Sequence, residues 1–124
     1  MKRNNISNIA NWKFDKLEKL YLSNNDIETL DNMNIYPNLE TLDVSHNSIN
    51  SFIGMKNYDN LKELFIINNI LGSFESIPMF SKLELLDASN NNINSFSYLP
   101  KLPMLDTLLL SKNKISSWSD FPDL

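Results

Sequence analysis

The fold is most easily predicted from residues 39–49, which are Leu39-Glu40-Thr41-Leu42-Asp43-Val44-Ser45-His46-Asn47-Ser48-Ile49. Apolar Leu42 and Val44 alternate with polar residues, which is typical of a short strand with one buried face. Asn47 ends this alternation. The stretch therefore predicts a strand that leads directly into a turn.

The same arrangement returns every 22 residues along the chain. Its copies begin at Leu17, Leu39, Leu61, Leu83 and Leu105. No insertion or deletion interrupts the period between Leu17 and Leu124. A fixed period of this length indicates a solenoid, in which each repeat buries its apolar edge only by stacking on its neighbours.

The second half of each repeat has an apolar residue at every third position. In the second copy these residues are Ile49, Phe52, Met55, Tyr58 and Leu61. A period of three matches 3₁₀ turns better than an α-helix, whose stripe would drift from it. Proline also recurs at one position of this half and disfavours a long helix; the residues are Pro78, Pro100 and Pro122. We therefore expect each strand to return through 3₁₀ or irregular segments.

Stacking would align equivalent residues of successive repeats in columns. Three apolar columns are expected to form the core: Leu30, Phe52, Phe74, Phe96 and Trp118; Met33, Met55, Ile77, Leu99 and Phe121; and Phe14, Tyr36, Tyr58, Phe80, Leu102 and Leu124. We expect their aromatic members to pack ring against ring. An asparagine column is expected to bridge the backbone of its own turn and the next one, because a buried amide needs both its donors and its acceptor satisfied; it contains Asn25, Asn47, Asn69, Asn91 and Asn113.

Composition narrows the classes of function. The formal net charge is −4 and the pI is near 4.8, which disfavours direct nucleic-acid binding and binding to anionic membranes. The sequence contains no cysteine, no apolar run long enough to span a bilayer and no visible signal peptide. We expect an intracellular protein, cytoplasmic or nuclear, since secreted repeat proteins usually carry disulfide-bonded caps.

These residues resemble the leucine-rich repeat family, and more narrowly its 22-residue class, Leu-xx-Leu-xx-Leu-x-Leu-xx-Asn-x-Ile-xx-Ile-xx-Leu-xx. That class includes the regulatory subunit of type-1 protein phosphatase, related intracellular proteins and the bacterial internalins. The resemblance implies an α/β fold class, namely a right-handed solenoid with a parallel β-sheet on the concave side and 3₁₀ or irregular segments on the convex side. It also implies protein binding, usually through the sheet.

The match runs from about Asn4 to Leu124, so we expect a single leucine-rich repeat domain over residues 1–124. A partial repeat occupies 4–16, and full repeats start at 17, 39, 61, 83 and 105. Neither end has an obvious polar cap, although terminal repeats normally need one. Three interpretations fit: a fragment of a longer protein, which we favour; a piece produced for expression; or a small protein completed by a partner or by association through its uncapped ends.

The variable strand positions point away from the core and form the candidate binding surface. The central column alternates acidic and apolar residues: Tyr21, Asp43, Phe65, Asp87 and Leu109. Thr41 and Ser45 stand in the columns beside it. The full set of candidate partner-binding residues is Lys19, Tyr21, Asp43, His46, Glu63, Phe65, Ile67, Leu85, Asp87 and Leu109. Apolar side chains ringed by charge are typical of a protein-binding patch; the alternative is that exposed aromatic and β-branched residues simply suit strands.

The sequence favours a non-catalytic protein. His46 is the only histidine, and although Asp43 and Ser45 are close to it, nothing supplies a pocket, an oxyanion hole and a positioned base together. The sequence also offers no set of metal ligands, because it has one histidine, no cysteine and only scattered carboxylates. It indicates no cofactor.

We predict a protein–protein interaction module that binds a protein partner on its concave sheet, as a regulatory or scaffold subunit. The alternatives are a fragment of an internalin-like surface adhesin and a structural part of a larger repeat protein. The alternation of Asp43, Phe65 and Asp87 is similar to that of the phosphatase regulator of this class. It points weakly to a phosphatase-like catalytic subunit as the partner.

Overall fold

A computed structural model describes residues 5–6, 14–31, 33–117 and 121. Its regular elements are five three-residue strands: β1 (Lys19–Tyr21), β2 (Thr41–Asp43), β3 (Glu63–Phe65), β4 (Leu85–Asp87) and β5 (Thr107–Leu109). They form one parallel sheet in the order β1-β2-β3-β4-β5. Each residue of β1 to β4 pairs with the residue 22 positions later, as Leu42 does with Leu64. The sheet confirms the predicted solenoid, and the described residues contain no helix.

Backbone hydrogen bonds extend the parallel pairing beyond the assigned strands. Val44 N–H donates to Phe65 O at 2.9 Å, and His46 N–H donates to Ile67 O at 2.8 Å. The chain then leaves the sheet through a residue with positive φ, as at His46, where φ is 56°. The equivalent residues in the other repeats share this left-handed conformation: Asn24, Asn68, Asn90 and Lys112. Asparagine tolerates it better than most residues, which explains its frequency in this column.

The return segments consist of single turns rather than 3₁₀ helices within the described residues. Met55 N–H donates to Phe52 O at 3.0 Å, and Leu61 N–H donates to Tyr58 O at 3.1 Å. Each is the three-residue hydrogen bond that defines a 3₁₀ turn, but it is not continued. The period of three thus becomes a series of isolated turns that direct every third side chain inward.

The constant positions of the repeats form a continuous core. Leu42, Leu64 and Leu86 are completely buried. Two columns stack their rings as expected: Phe52 and Phe74 lie 6.5 Å apart between centroids with planes inclined by 14°. The other stacked pair, Tyr36 and Tyr58, has a centroid distance of 6.3 Å and an inclination of 15°.

The ends of the predicted columns behave differently from their middles. Phe14 is half exposed. Phe121 is partly buried and packs edge-on against Phe96, with ring centroids 4.7 Å apart. Trp118 and Leu124, which were assigned to the same core, lie outside the described residues.

The asparagine column links successive turns, as the sequence predicts, but toward the preceding repeat. The Asn47 amide nitrogen donates to Val44 O of its own turn and to Leu22 O of the preceding repeat, both at 3.0 Å. Its oxygen accepts from Ile27 N–H, also in the preceding repeat, at 3.0 Å. The other internal asparagines, Asn69 and Asn91, repeat the pattern. The column therefore pairs buried backbone groups that the turns leave without strand partners.

Candidate protein-binding face

The central column crosses the sheet in register, with one residue on each strand. Tyr21 pairs with Asp43, Asp43 with Phe65, Phe65 with Asp87, and Asp87 with Leu109. Neighbouring strands lie about 4.8 Å apart, so each aspartate is flanked by an apolar side chain on both sides. Tyr21 is 62% exposed and Leu109 is 44% exposed, whereas the three residues between them are half-buried.

The other predicted residues surround this column. Lys19, Glu63 and Leu85 belong to the neighbouring column. In this column Lys19 pairs with Thr41, Thr41 with Glu63, and Glu63 with Leu85. Ile67 follows Phe65 by two residues and is half-buried. We define the concave face as the central column together with Lys19, Thr41, Glu63, Leu85 and Ile67. His46 lies at its edge, beyond the end of β2.

Two small residues in the flanking columns are more buried than their position suggests. Thr41 is 5% exposed and its hydroxyl donates to Glu63 Oε1 at 2.9 Å. Ser45 is 3% exposed and its hydroxyl accepts from Ile67 N–H at 3.0 Å. Both side chains are buried and hydrogen-bonded to the next repeat, so they contribute little exposed surface to the concave face.

The two aspartates of the central column are held in place by the backbone. Asp43 Oδ1 accepts from Ser45 N–H at 2.9 Å, and Asp87 Oδ1 accepts from Ser89 N–H at 3.1 Å. Neither carboxylate has a lysine or arginine within ion-pair distance among the described residues. The hydrogen bonds fix the direction of the two carboxylates without neutralising their charge.

Unlike these aspartates, a carboxylate at the rim of the concave face forms an ion pair within the chain. We define the rim as the column immediately before the strands, which contains Glu18, Glu40, Lys62, Glu84 and Asp106. There, Lys62 Nζ lies 2.8 Å from Glu40 Oε1. The hydrogen bond from Lys62, reinforced by its charge, lowers the pKa of Glu40, and the same contact raises the pKa of Lys62. The rim is thus partly neutralised within the chain.

Negative charge is concentrated on the concave face and its rim. Together they carry seven carboxylates and two lysines, a formal charge of −5, whereas the whole chain carries −4. The remainder of the sequence therefore sums to +1. The net negative charge of the protein thus comes from the concave face and its rim, so the electrostatic field there is favourable to positively charged groups.

His46 belongs to a ladder of side chains at the edge of the sheet. Its Nδ1 lies 2.8 Å from Asn68 Nδ2, and Asn90 Nδ2 donates to Asn68 Oδ1 at 3.0 Å. Nearby, Asp43 is bound to the Ser45 backbone and the Ser45 hydroxyl is buried. Ser45, His46 and Asp43 therefore do not make the serine–histidine and histidine–aspartate hydrogen bonds of a catalytic triad.

A known protein family matches part of the chain. The match agrees with the repeated backbone structure and with the repeated spacing of the core residues. The family model described as Leucine Rich Repeat matches residues 16–36 and 38–55. The chain contains leucine-rich repeats. The copies that start at Leu61, Leu83 and Leu105 continue the same spacing in the same sheet. No curated protein matches the chain.

Leucine-rich repeats are generally protein-interaction modules and are typically not catalytic. Their stacked units create an extended concave surface that suits binding of another macromolecule. In the part of this leucine-rich repeat protein that the structure describes, no group of three His, Cys, Asp or Glu side chains is placed to hold a metal ion. The same residues include no helix long and apolar enough to cross a bilayer.

A depression lies at the last repeat, away from the concave face. Its walls include Leu108 and Leu110, which are half-buried although the equivalent Leu86 and Ala88 are completely buried. This depression is the side of the core that an adjoining repeat covers elsewhere in the solenoid. Sequence periodicity alone identifies these positions, because they are core positions of the repeat.

Proposed function

We propose that this leucine-rich repeat protein is a non-catalytic module that binds a protein partner on its concave face, as a regulatory or scaffold subunit. The proposal rests on the central column. Its acidic and apolar side chains alternate across all five strands and stay accessible, whereas the constant positions of the internal repeats are buried. Stacking explains the buried positions but leaves the central column without a role in the core.

The chemistry of this column suits an interface. Tyr21, Phe65 and Leu109 supply apolar anchors of the kind that dominate binding energy. Asp43 and Asp87 supply charges that lack a cation in the described chain, so a basic partner residue would complete them. Charge on the rim would add long-range attraction, which salt screens.

Two finer points belong to the same proposal. The alternation of Asp43, Phe65 and Asp87 supports a phosphatase-like catalytic subunit as one candidate partner, through its similarity to the phosphatase regulator of this repeat class. The absence of cysteine from the sequence supports an intracellular location, cytoplasmic or nuclear.

The test is a partner-capture experiment from the source cells with a concave-face double variant, Phe65→Ala with Asp43→Lys. A matched control makes the same kinds of change elsewhere, Met79→Ala with Glu75→Lys, at two exposed positions outside the concave face. We expect the control to retain the captured protein and the concave variant to lose it, while both keep the circular dichroism spectrum of the parent. Retention by the concave variant would show that this face is not the binding site.

A further inference from the structure

We propose that the concave face accommodates an α-helix of its partner, lying across the strands, with apolar residues at every seventh position and a basic residue midway between them. This inference rests on the proposed function, because it specifies the partner for the same face. It follows from the spacing of the central column and from the lack of a lysine or arginine beside its two aspartates among the described residues.

The spacing matches a helix. Asp43 and Asp87 stand two strands apart with Phe65 between them, so about 10 Å separates their positions along the column. An α-helix rises about 1.5 Å per residue, and residues seven apart on one stripe are therefore separated by about 10.5 Å. The residue three or four positions along the same stripe falls midway, opposite Phe65.

The spacing of the whole central column, from Tyr21 to Leu109, also matches an α-helix. Tyr21 and Leu109 lie four strand spacings apart, or about 19 Å. A helical stripe with positions i, i+3, i+7, i+10 and i+14 covers about 21 Å. Apolar residues at i, i+7 and i+14 would meet Tyr21, Phe65 and Leu109. Basic residues at i+3 and i+10 would meet Asp43 and Asp87.

Other backbone conformations fit this column less well. In an extended segment, side chains on one face recur about every 6.7 Å, so no two of them are about 10 Å apart. Polyproline II repeats every third residue, about 9.3 Å, but places no side chain between the two that face the aspartates. Phe65 would then face backbone only, although it is half-buried and apolar.

The aspartates favour a cationic stripe on the helix. Each is half-buried and held by a backbone N–H, and in the described residues neither has a cation beside it. A carboxylate that is already oriented loses little freedom when a lysine or arginine approaches it. Glu40, by comparison, already has Lys62 as its partner.

A second column flanks the central column on the side away from Lys19, Glu63 and Leu85, and it leaves room for the backbone of the helix. It contains serine on four of the five repeats: Ser23, Ser45, Ile67, Ser89 and Ser111. Serine side chains are short, so this column leaves space beside the central column for the backbone of the helix, whose basic residues would reach toward the aspartates.

The experiment uses a synthetic alanine-rich helical peptide of about eighteen residues, with leucine at about every seventh position and arginine midway between leucines. Two control peptides have the same composition. One moves the arginines to the opposite helix face, and the other carries a central proline in place of an alanine, which breaks the helix. Binding is measured by fluorescence anisotropy, with circular dichroism to confirm the helix content of each peptide.

The protein variants isolate the aspartates. Asp43→Asn with Asp87→Asn removes two charges from the central column, and Glu28→Gln with Glu75→Gln removes two charges from exposed positions outside the concave face. We expect the first pair to weaken binding of the designed peptide by at least about tenfold and the second pair to change it by less than about threefold. Both control peptides should bind at least about tenfold more weakly than the designed peptide.

The outcomes separate the helix from the face. Equal binding of the proline peptide, with the aspartate dependence retained, would overturn the helix and leave the concave face as the binding site. Absence of binding of the designed peptide up to about millimolar concentration would also overturn the helix. The capture experiment with Phe65→Ala and Asp43→Lys decides the proposed function separately.

Discussion

Asn69 in the third repeat donates its side-chain amide to the carbonyl oxygen of Val44 in the second repeat, at 3.1 Å. The bond spans 25 residues of sequence but joins two turns that stack directly on each other. Asn69 also accepts from Ile49 N–H at 2.9 Å. One side chain therefore satisfies a donor and an acceptor of the neighbouring turn, and this contact holds the repeats in register.

The first prediction concerns that side chain. Asn69→Ala leaves buried backbone groups of two turns without partners, and we expect it to lower the free energy of unfolding by about 1–3 kcal/mol or more. Asn92→Ala is the control, because Asn92 is exposed and outside the asparagine column. Urea unfolding measures both variants, and equal stability of the two would show that the amide contacts contribute nothing.

The second prediction concerns Gly54, which has a φ of 80° in the turn from Phe52 to Met55. A Cβ atom at this position would collide with Asp31 of the preceding repeat. Gly54→Ala therefore combines an unfavourable backbone conformation with a steric clash, and we expect a loss of more than about 1 kcal/mol. Gly72→Ala is the matched control, since a Cβ at Gly72 meets no atom within 4 Å and its φ is not positive.

The third prediction uses the same turn in a later repeat. Tyr98 has a φ of 70° and is exposed, so its side chain contributes little packing while its backbone is strained. Tyr98→Gly should relieve this strain and raise the free energy of unfolding by up to about 1 kcal/mol, after the larger entropy of glycine in the unfolded chain is subtracted. A fall in the melting temperature would contradict this interpretation.

The fourth prediction compares one core position in two repeats. Leu64 is completely buried, whereas the equivalent Leu108 is only partly buried. Leu64→Ala should cost about 2–5 kcal/mol, and Leu108→Ala should cost clearly less because less apolar surface returns to water. Denaturant midpoints of the two variants, measured together, test whether the last repeat is as tightly packed as the middle one.

The fifth prediction is a dependence of stability on alkaline pH. Burial, and the neighbouring Tyr36, raise the pKa of the Tyr58 phenol, whose hydroxyl donates to Asn34 O at 2.9 Å. A raised folded-state pKa means that the contribution of Tyr58 is complete below about pH 10, the value in the unfolded chain, and is lost as pH rises toward the folded value. We expect this group to make stability fall by up to about 1.4 kcal/mol per pH unit in that range.

Tyr58→Phe should flatten the decline above pH 10, even though it removes the hydrogen bond to Asn34 and lowers stability at neutral pH. Tyr98→Phe is the control, because Tyr98 is exposed. Urea unfolding at several pH values distinguishes them: an unchanged alkaline slope in Tyr58→Phe would show that this phenol does not govern the effect.

Most of the fold was predictable because neighbours in this solenoid are separated by one fixed interval of sequence. Once Leu42 is aligned with Leu64, every other column and the register of the sheet follow. The stacked pair Phe52 and Phe74 and the buried Asn47 were predicted in this way. The composition of the central column was equally readable, since alternation along a strand assigns Asp43 to the face opposite Leu42.

The repeat pattern was sufficient to establish the period, the columns and the face on which the variable residues lie. Three-dimensional packing was needed to show that Thr41 and Ser45 are buried, that Asp43 binds the Ser45 backbone, and that Asn47 binds Leu22 of the preceding repeat. Periodicity specifies which residues are adjacent, because stacking fixes the backbone positions. It does not specify how side chains of unequal length share the space between those positions, and that sharing determines which charges on the concave face are left for a partner.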